Sequence, residues 1–209
     1  MYSVPMVLAD FIPVLLFGAA AMILQRDLYN KMTKGMFALF CTGTINVFLA
    51  GFLKAVYKLL FAAGVCDFQR LNHLFFPLQA IGFVLAGMGL ACLHARERKK
   101  ERLLSVAAPA VFSGTFLFVA LMILGLLGMD LSLAAFAKKL KKPLAAALFL
   151  VSFVFCLAMG YLSSRDFTQA SMNWIAEGVN ILGQGSLLAG VRMLDRAGLQ
   201  AYNAAEKAE

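Results

Sequence analysis

The sequence predicts an all-α integral membrane protein with six transmembrane helices. Of the 209 residues, 62% are hydrophobic and only 14% are charged, whereas soluble domains are about half apolar and about a quarter charged. Six segments are long and apolar enough to cross the roughly 30 Å of hydrocarbon in a bilayer. These segments are Val4–Leu24, Gly35–Leu60, Leu74–Leu93, Leu103–Leu127, Leu144–Tyr161 and Ala170–Val191.

The order of proline and glycine in these spans suggests three helical hairpins. Each pair of spans has a proline early in its first helix and a glycine inside its second, namely Pro13 with Gly43, Pro77 with Gly114, and Pro143 with Gly178. In a chain with 17 glycines, chance explains the pattern better than duplication, so threefold repetition stays a hypothesis. The short linkers predict a single membrane domain over residues 1–194, followed by a polar tail over residues 195–209.

The segment Asp130–Lys142 predicts a short amphipathic helix in the membrane interface. Leu133, Phe136 and Leu140 recur at helical spacing, and the segment ends in lysines. An apolar face with a basic end is typical of helices that lie among anionic headgroups.

The net charge of +8 indicates contact with lipid headgroups and not with nucleic acid, because the cations cluster beside the spans. Arg26, Lys31 and Lys34 follow the first span, so the positive-inside rule places the amino terminus outside. Strict alternation then places both termini outside, but it also puts Lys138 and its neighbours outside, so both termini inside remains the alternative. The predicted location is a bacterial plasma membrane.

The last span carries a polar stripe. At about 100° per residue, its side chains fall within an arc of about 60° on one face of the helix. The stripe consists of Asn173, Glu177, Asn180 and Gln184. Because a carboxyl or amide group in hydrocarbon costs several kcal/mol, this face must meet other helices, a cavity or a ligand.

Helical rise predicts which other polar residues lie at matching depth. Counted from the charged loops, Asn46 and Glu177 reach the middle of the membrane, whereas Asp10, Gln79 and Gln184 lie about 9 to 12 Å from the opposite surface. The expected site is a wet cavity with Asp10 and Lys54 at its mouth. Its other predicted residues are Asn46, Gln79, Asn173, Glu177, Asn180 and Gln184.

Two features of this site are left open by the sequence. In one alternative to a cavity, the amide side chains and Glu177 satisfy one another's hydrogen bonds across helices. Depth alone also permits a salt bridge between Asp10 and Lys54, whereas Lys58 is interpreted as an interfacial residue.

The favoured function is binding or transport of a small polar or cationic solute, with proton exchange at Glu177. The sequence has no serine elbow, HExxH motif or Walker loop, so an enzyme is not favoured and no cofactor is expected. The expected partners are membrane lipids and a solute or proton, and the oligomeric state is open. The alternatives are a membrane sensor or interaction subunit and, less favoured, a lipid-modifying enzyme with Glu177 as general base.

Overall fold

The computed structural model describes residues 4–97, 115–162 and 170–202, and the described residues form helices without any strand. A 3-10 helix, Leu199–Ala201, follows the last α-helix. The α-helices are α1 (Val4–Ala9), α2 (Phe11–Leu28), α3 (Lys34–Ala62), α4 (Gln69–His73), α5 (Phe75–Glu97), α6 (Thr115–Lys139), α7 (Pro143–Leu162) and α8 (Ala170–Arg196).

Five segments of the described chain are long and apolar enough to cross a membrane, which confirms the prediction of an all-α membrane protein. They are Val4–Leu28, Lys34–Ala62, Gln69–Leu93, Leu117–Lys139 and Pro143–Leu162. The sixth long helix, α8, has 27 residues and therefore spans about 40 Å. Its polar stripe is what makes it less apolar than the other five.

The first span is interrupted at Asp10, which separates α1 from α2. Pro13 explains the break. A proline lacks the N–H that would bond to the carbonyl of Ala9, and its ring crowds that carbonyl. The carboxyl group of Asp10 lies inside the bundle, where the side chain is 6% exposed.

Left-handed residues follow three of the described helices, α3, α6 and α8. The chain leaves α3 through Gly64, whose φ is 69°, and the N–H of Val65 bonds back to the carbonyl of Leu60. Lys141 takes φ 55° in the turn after α6, and Pro143 then begins α7 at the first helical position. The second turn makes α6 and α7 an antiparallel pair.

Glycines mark the close helix contacts and show the direction of each helix. A Cβ atom at Gly43 would lie 2.6 Å from the carbonyl oxygen of Gly82, and one at Gly89 would lie 3.0 Å from the backbone nitrogen of Phe40. Residue numbers in α3 therefore fall as those in α5 rise, so these two helices are antiparallel. Such close approach is typical of small residues between membrane helices.

By the same reasoning, α5 and α6 run parallel. Gly125 of α6 faces Phe83 and Val84, and Gly128 faces Gly87, so the residue numbers of the two helices rise together. The predicted second hairpin is therefore wrong, because a hairpin requires antiparallel helices. The connecting residues 98–114, which include Gly114, lie outside the described part.

The last helix runs parallel to α2. Arg26, near the end of α2, forms a salt bridge with Asp195, near the end of α8. The bundle thus has a "Val4 end", which holds Val4, Ala62 and Phe75, and an "Arg196 end", which holds Leu28, Lys139 and Arg196. The first and last described residues, Val4 and Tyr202, lie at opposite ends, unlike the expectation that both termini emerge on one side.

The predicted interfacial helix is part of a membrane-spanning helix. Residues 130–139 continue α6 without a break, and Leu133 and Phe136 are fully buried in the core. An apolar stripe at helical spacing is the same for a helix that packs against protein and one that packs against lipid, so the pattern could not separate them. Leu140 lies in the turn after α6, partly buried against the core.

A closely packed apolar core fills the half of the bundle toward the Arg196 end. Its fully buried members include Leu28, Phe40, Leu90, Phe136 and Leu194. Large apolar side chains on the outside, such as Leu15 and Val154, are 61% exposed and fit a lipid-facing surface. The polar interior lies in the other half, toward the Val4 end.

Candidate functional site

Four charged side chains meet inside the bundle near the Val4 end. Asp10 comes from the α1–α2 break, Lys54 and Lys58 from α3, and Glu177 from α8. The two lysines are four residues apart and so lie on one face of α3. Helical rise places Lys58 about 6 Å and Lys54 about 12 Å from the end of α3.

Lys58 holds the two carboxylates together. Its Nζ lies 2.8 Å from Oδ2 of Asp10 and 3.8 Å from Oε1 of Glu177. Asp10 is 6% exposed and Glu177 is 8% exposed. The attraction between such charges is strong in a medium of low dielectric, and it offsets much of the cost of removing them from water.

Lys54 is held in a different way. Its Nζ lies 3.8 Å from the centroid of the Phe75 ring and 6.0 Å from that of the Phe76 ring. A cation over an aromatic face is stabilised by the ring quadrupole, by about 2 kcal/mol when desolvated. Among the described residues, no carboxylate lies within salt-bridge distance of Lys54.

Amide side chains extend the polar surface deeper into the bundle. Gln79 of α5 and Asn180 and Gln184 of α8 line the same space, and Nε2 of Gln184 lies 3.9 Å from Sγ of Cys156. The Oε1 atoms of Gln79 and Gln184 and the Oε2 atom of Glu177 are buried, and they accept no hydrogen bond from the described residues. These oxygens are available to a donor that enters the space.

The space is a cavity of about 150 Å³ that is lined by both polar and apolar side chains. Its apolar lining includes Val14, Phe83, Met122 and Leu126. A cavity of this size holds a molecule of roughly the size of benzene. A small amphiphilic solute therefore fits it.

The cavity brings together six of the predicted site residues and leaves out two. It is lined by Asp10, Lys54, Gln79, Glu177, Asn180 and Gln184. Asn46 lies about 12 Å along α3 from Lys54, half-buried and outside the lining. Asn173, one turn before Glu177, is buried but likewise does not line the cavity.

Lys58 was missed by sequence reasoning, and Lys58 is the residue that pairs with Asp10. The Asp10–Lys54 bridge that depth alone permitted is not formed in the described structure, because Lys54 is turned toward Phe75. The spacing of Lys54 and Lys58 was an available signal. Two lysines on one face near the end of a span, with buried carboxylates at similar depth, indicate a charged cluster.

The polar stripe also runs in the opposite direction from the expected one. Because α8 begins at the Val4 end, Glu177 lies about 10 Å in and Gln184 lies about 21 Å in. The expectation that Glu177 is the deeper of the two is therefore wrong. The charged residues lie nearer the surface, and the amides lie nearer the middle.

The described residues contain no cluster of three or more His, Cys, Asp or Glu side chains that could hold a metal ion. The site of this chain is a charged cavity with two ammonium groups, two carboxyl groups and unsatisfied amide oxygens. Comparison with protein-family models, with curated proteins and with solved structures found no match for this chain.

Proposed function

We propose that this chain binds a small polar or charged solute inside the membrane and moves it across the bilayer. The observation that carries the proposal is Lys58, held between Asp10 and Glu177 at the wall of a cavity. Ionisable groups within membrane spans are costly, and those that face a cavity are typical of solute or ion pathways. The charges of this cavity come from α3, from α8 and from the junction of α1 and α2.

The position of the cavity favours solute binding over an interaction subunit. Asn180 and Gln184 line a partly open cavity between helices of one chain. A stripe that mediated assembly would instead lie on the outer surface of α8. The observed placement therefore supports a ligand as the partner of the stripe.

The cavity opens toward the outside of the cell in this proposal. Among the described residues, ten Lys and Arg lie in the Arg196 half, whereas Lys54, Lys58 and Arg70 lie in the Val4 half. The ten are Arg26, Lys31, Lys34, Arg96, Lys138, Lys139, Lys141, Lys142, Arg192 and Arg196. By the positive-inside rule the Arg196 end is cytoplasmic, so the charged cluster lies in the outer half of the membrane.

Ligand screening with a matched pair of variants tests the proposal. The purified protein in lipid nanodiscs is heated with small amines, carboxylates, amino acids and polyols, and unfolding is followed by intrinsic fluorescence. A bound solute raises Tm through mass action. Glu177→Gln, inside the cavity, should remove the shift, whereas Asp67→Asn, an exposed change of the same kind near the Val4 end, should keep it. If no solute shifts Tm, the proposal is wrong.

A further inference from the structure

The unpaired groups of the cavity point to a solute of one chemical class. We infer that the solute is a small zwitterion with an apolar side chain, bound through its acidic group at Lys54 and through its amino group at Glu177. This inference rests on the proposed function and names the solute class for that same cavity.

Lys54 supplies the site for the acidic group. Its ammonium group lies 3.8 Å from the Phe75 ring centroid, and no described carboxylate neutralises it. An aromatic face stabilises a cation through its quadrupole, but it offers no oxygen or nitrogen acceptor to the N–H groups of the cation. The N–H groups directed away from the ring remain free for a carboxylate, which is the strongest acceptor that a solute of this size carries.

The cavity also contains oxygen atoms that need a hydrogen-bond donor. The Oε2 atom of Glu177 and the Oε1 atoms of Gln79 and Gln184 are buried acceptors without a donor among the described residues. Glu177 is only 8% exposed, so its second oxygen is costly to leave unpaired. A protonated amine has three N–H donors and no acceptor, so it supplies the donor that Oε2 of Glu177 lacks.

Charge balance favours a zwitterion over a simple cation or anion. Asp10 and Glu177 supply two acidic groups and Lys54 and Lys58 supply two basic groups, so the cluster has no net formal charge. A solute with a net charge would leave that charge unbalanced in a medium of low dielectric. A zwitterion keeps the total at zero and places each of its charges beside the opposite one.

The rest of the cavity sets size and polarity. Its volume of about 150 Å³ and its wall of Val14, Phe83, Met122 and Leu126 fit a short apolar chain. A long or bulky side chain would not fit the cavity, and a strongly polar one would find no partner among these apolar residues. A small apolar amino acid satisfies all three requirements at once.

Three probes of equal chain shape test the inference on the wild-type protein in nanodiscs. L-Leucine carries both charged groups, 4-methylpentanoate carries only the acid, and 3-methylbutylamine carries only the amine. Isothermal titration should show leucine binding at least tenfold more tightly than either of the other two. Equal affinity for leucine and the amine would overturn the zwitterion while leaving solute binding intact.

Variants assign each half of the solute to its residue. Lys54→Met should lower the affinity for leucine to that for the amine, and Lys54→Arg should restore part of the difference. Glu177→Gln should lower the affinity for leucine to that for the acid. If Lys54→Met fails to fold, the comparison of the three probes on the wild type decides alone. If none of the three probes binds, the inference is wrong, and the proposed function then depends on whether any solute of the broader screen binds.

Discussion

The ammonium group of Lys58 lies 2.8 Å from Oδ2 of Asp10 and joins α3 to the junction of α1 and α2. Both side chains are largely shielded, with 14% of the Lys58 side chain and 6% of the Asp10 side chain exposed. Loss of either partner would therefore leave the other charge buried without its counter-ion.

Removal of Lys58 should destabilise the protein strongly. Lys58→Met leaves the carboxylate of Asp10 buried without its cation, and a broken buried pair costs about 3–5 kcal/mol. The free energy of unfolding in detergent, measured by chemical denaturation, is the readout. Lys34→Met, an exposed lysine at the start of α3, is the matched control and should change stability by less than about 0.5 kcal/mol.

The double variant separates pairing from packing. If the cost of Lys58→Met is an unpaired charge, Asp10→Asn combined with Lys58→Met should recover most of the lost stability. A double variant as unstable as the single one would show that the chain of Lys58 acts by packing. The Asp10–Lys58 pair would then not be the source of stability.

The sequence predicted the helices and most of the cavity because both depend on local patterns. The apolar windows predicted four of the five candidate spans closely, whereas the predicted Leu103–Leu127 only partly overlaps the observed Leu117–Lys139. The spacing of Glu177, Asn180 and Gln184 put them on one face of α8. Lys58 was misjudged because depth along one helix does not say which way a long side chain turns. In the folded bundle the ammonium group of Lys54 lies over the Phe75 ring, and Asp10 pairs with Lys58 instead.

The direction of each helix was the part that the sequence could not provide. Alternation of spans assumes that every crossing is recognised and that neighbours in sequence are antiparallel. The contacts of Gly125 with Phe83 and of Gly128 with Gly87 show that α5 and α6 are parallel. Once α6 is reversed, α7 and α8 reverse with it, and Glu177 moves to the end where Asp10 lies.

The parallel contact of α5 and α6 should depend on the small size of Gly125. A Cβ atom at this position would lie 2.3 Å from the carbonyl carbon of Phe83 and 2.4 Å from the nitrogen of Val84. Because both are backbone atoms, Gly125→Ala must push the helices apart, at a cost of about 1–3 kcal/mol. Thermal unfolding in detergent measures the loss.

Gly178 of α8 provides the matched control for this change. A Cβ atom there meets nothing within 4 Å. Gly178→Ala should leave Tm unchanged or raise it, because alanine is the better helix former. Equal effects of Gly125→Ala and Gly178→Ala would contradict the close contact of α5 with α6.

The orientation of the bundle should be visible by thiol labelling in intact cells. Cys66 is exposed at the Val4 end, between α3 and α4, and should react with a membrane-impermeant maleimide added outside. Lys141→Cys, combined with Cys66→Ser, places a thiol at the Arg196 end and should react only after permeabilisation. Cys66→Ser alone controls for reaction at the other cysteines. The reverse pattern would invert the orientation, and labelling of both positions from outside would contradict their placement at opposite ends.

Replacement of Asp130 by leucine should stabilise the protein. Asp130 of α6 is 1% exposed, and both of its carboxyl oxygens lack a hydrogen-bond partner among the described residues. An unsatisfied buried carboxyl group costs stability, and leucine has a similar size without a polar atom, so Asp130→Leu should gain about 1–3 kcal/mol. Asp130→Asn keeps the shape and most of the polarity and should gain less.

Because Asp130 does not line the cavity, solute binding should be unchanged in both variants. A loss of stability on chemical denaturation of Asp130→Leu would show that the carboxyl group has a stabilising partner, such as a bound ion, in the native protein.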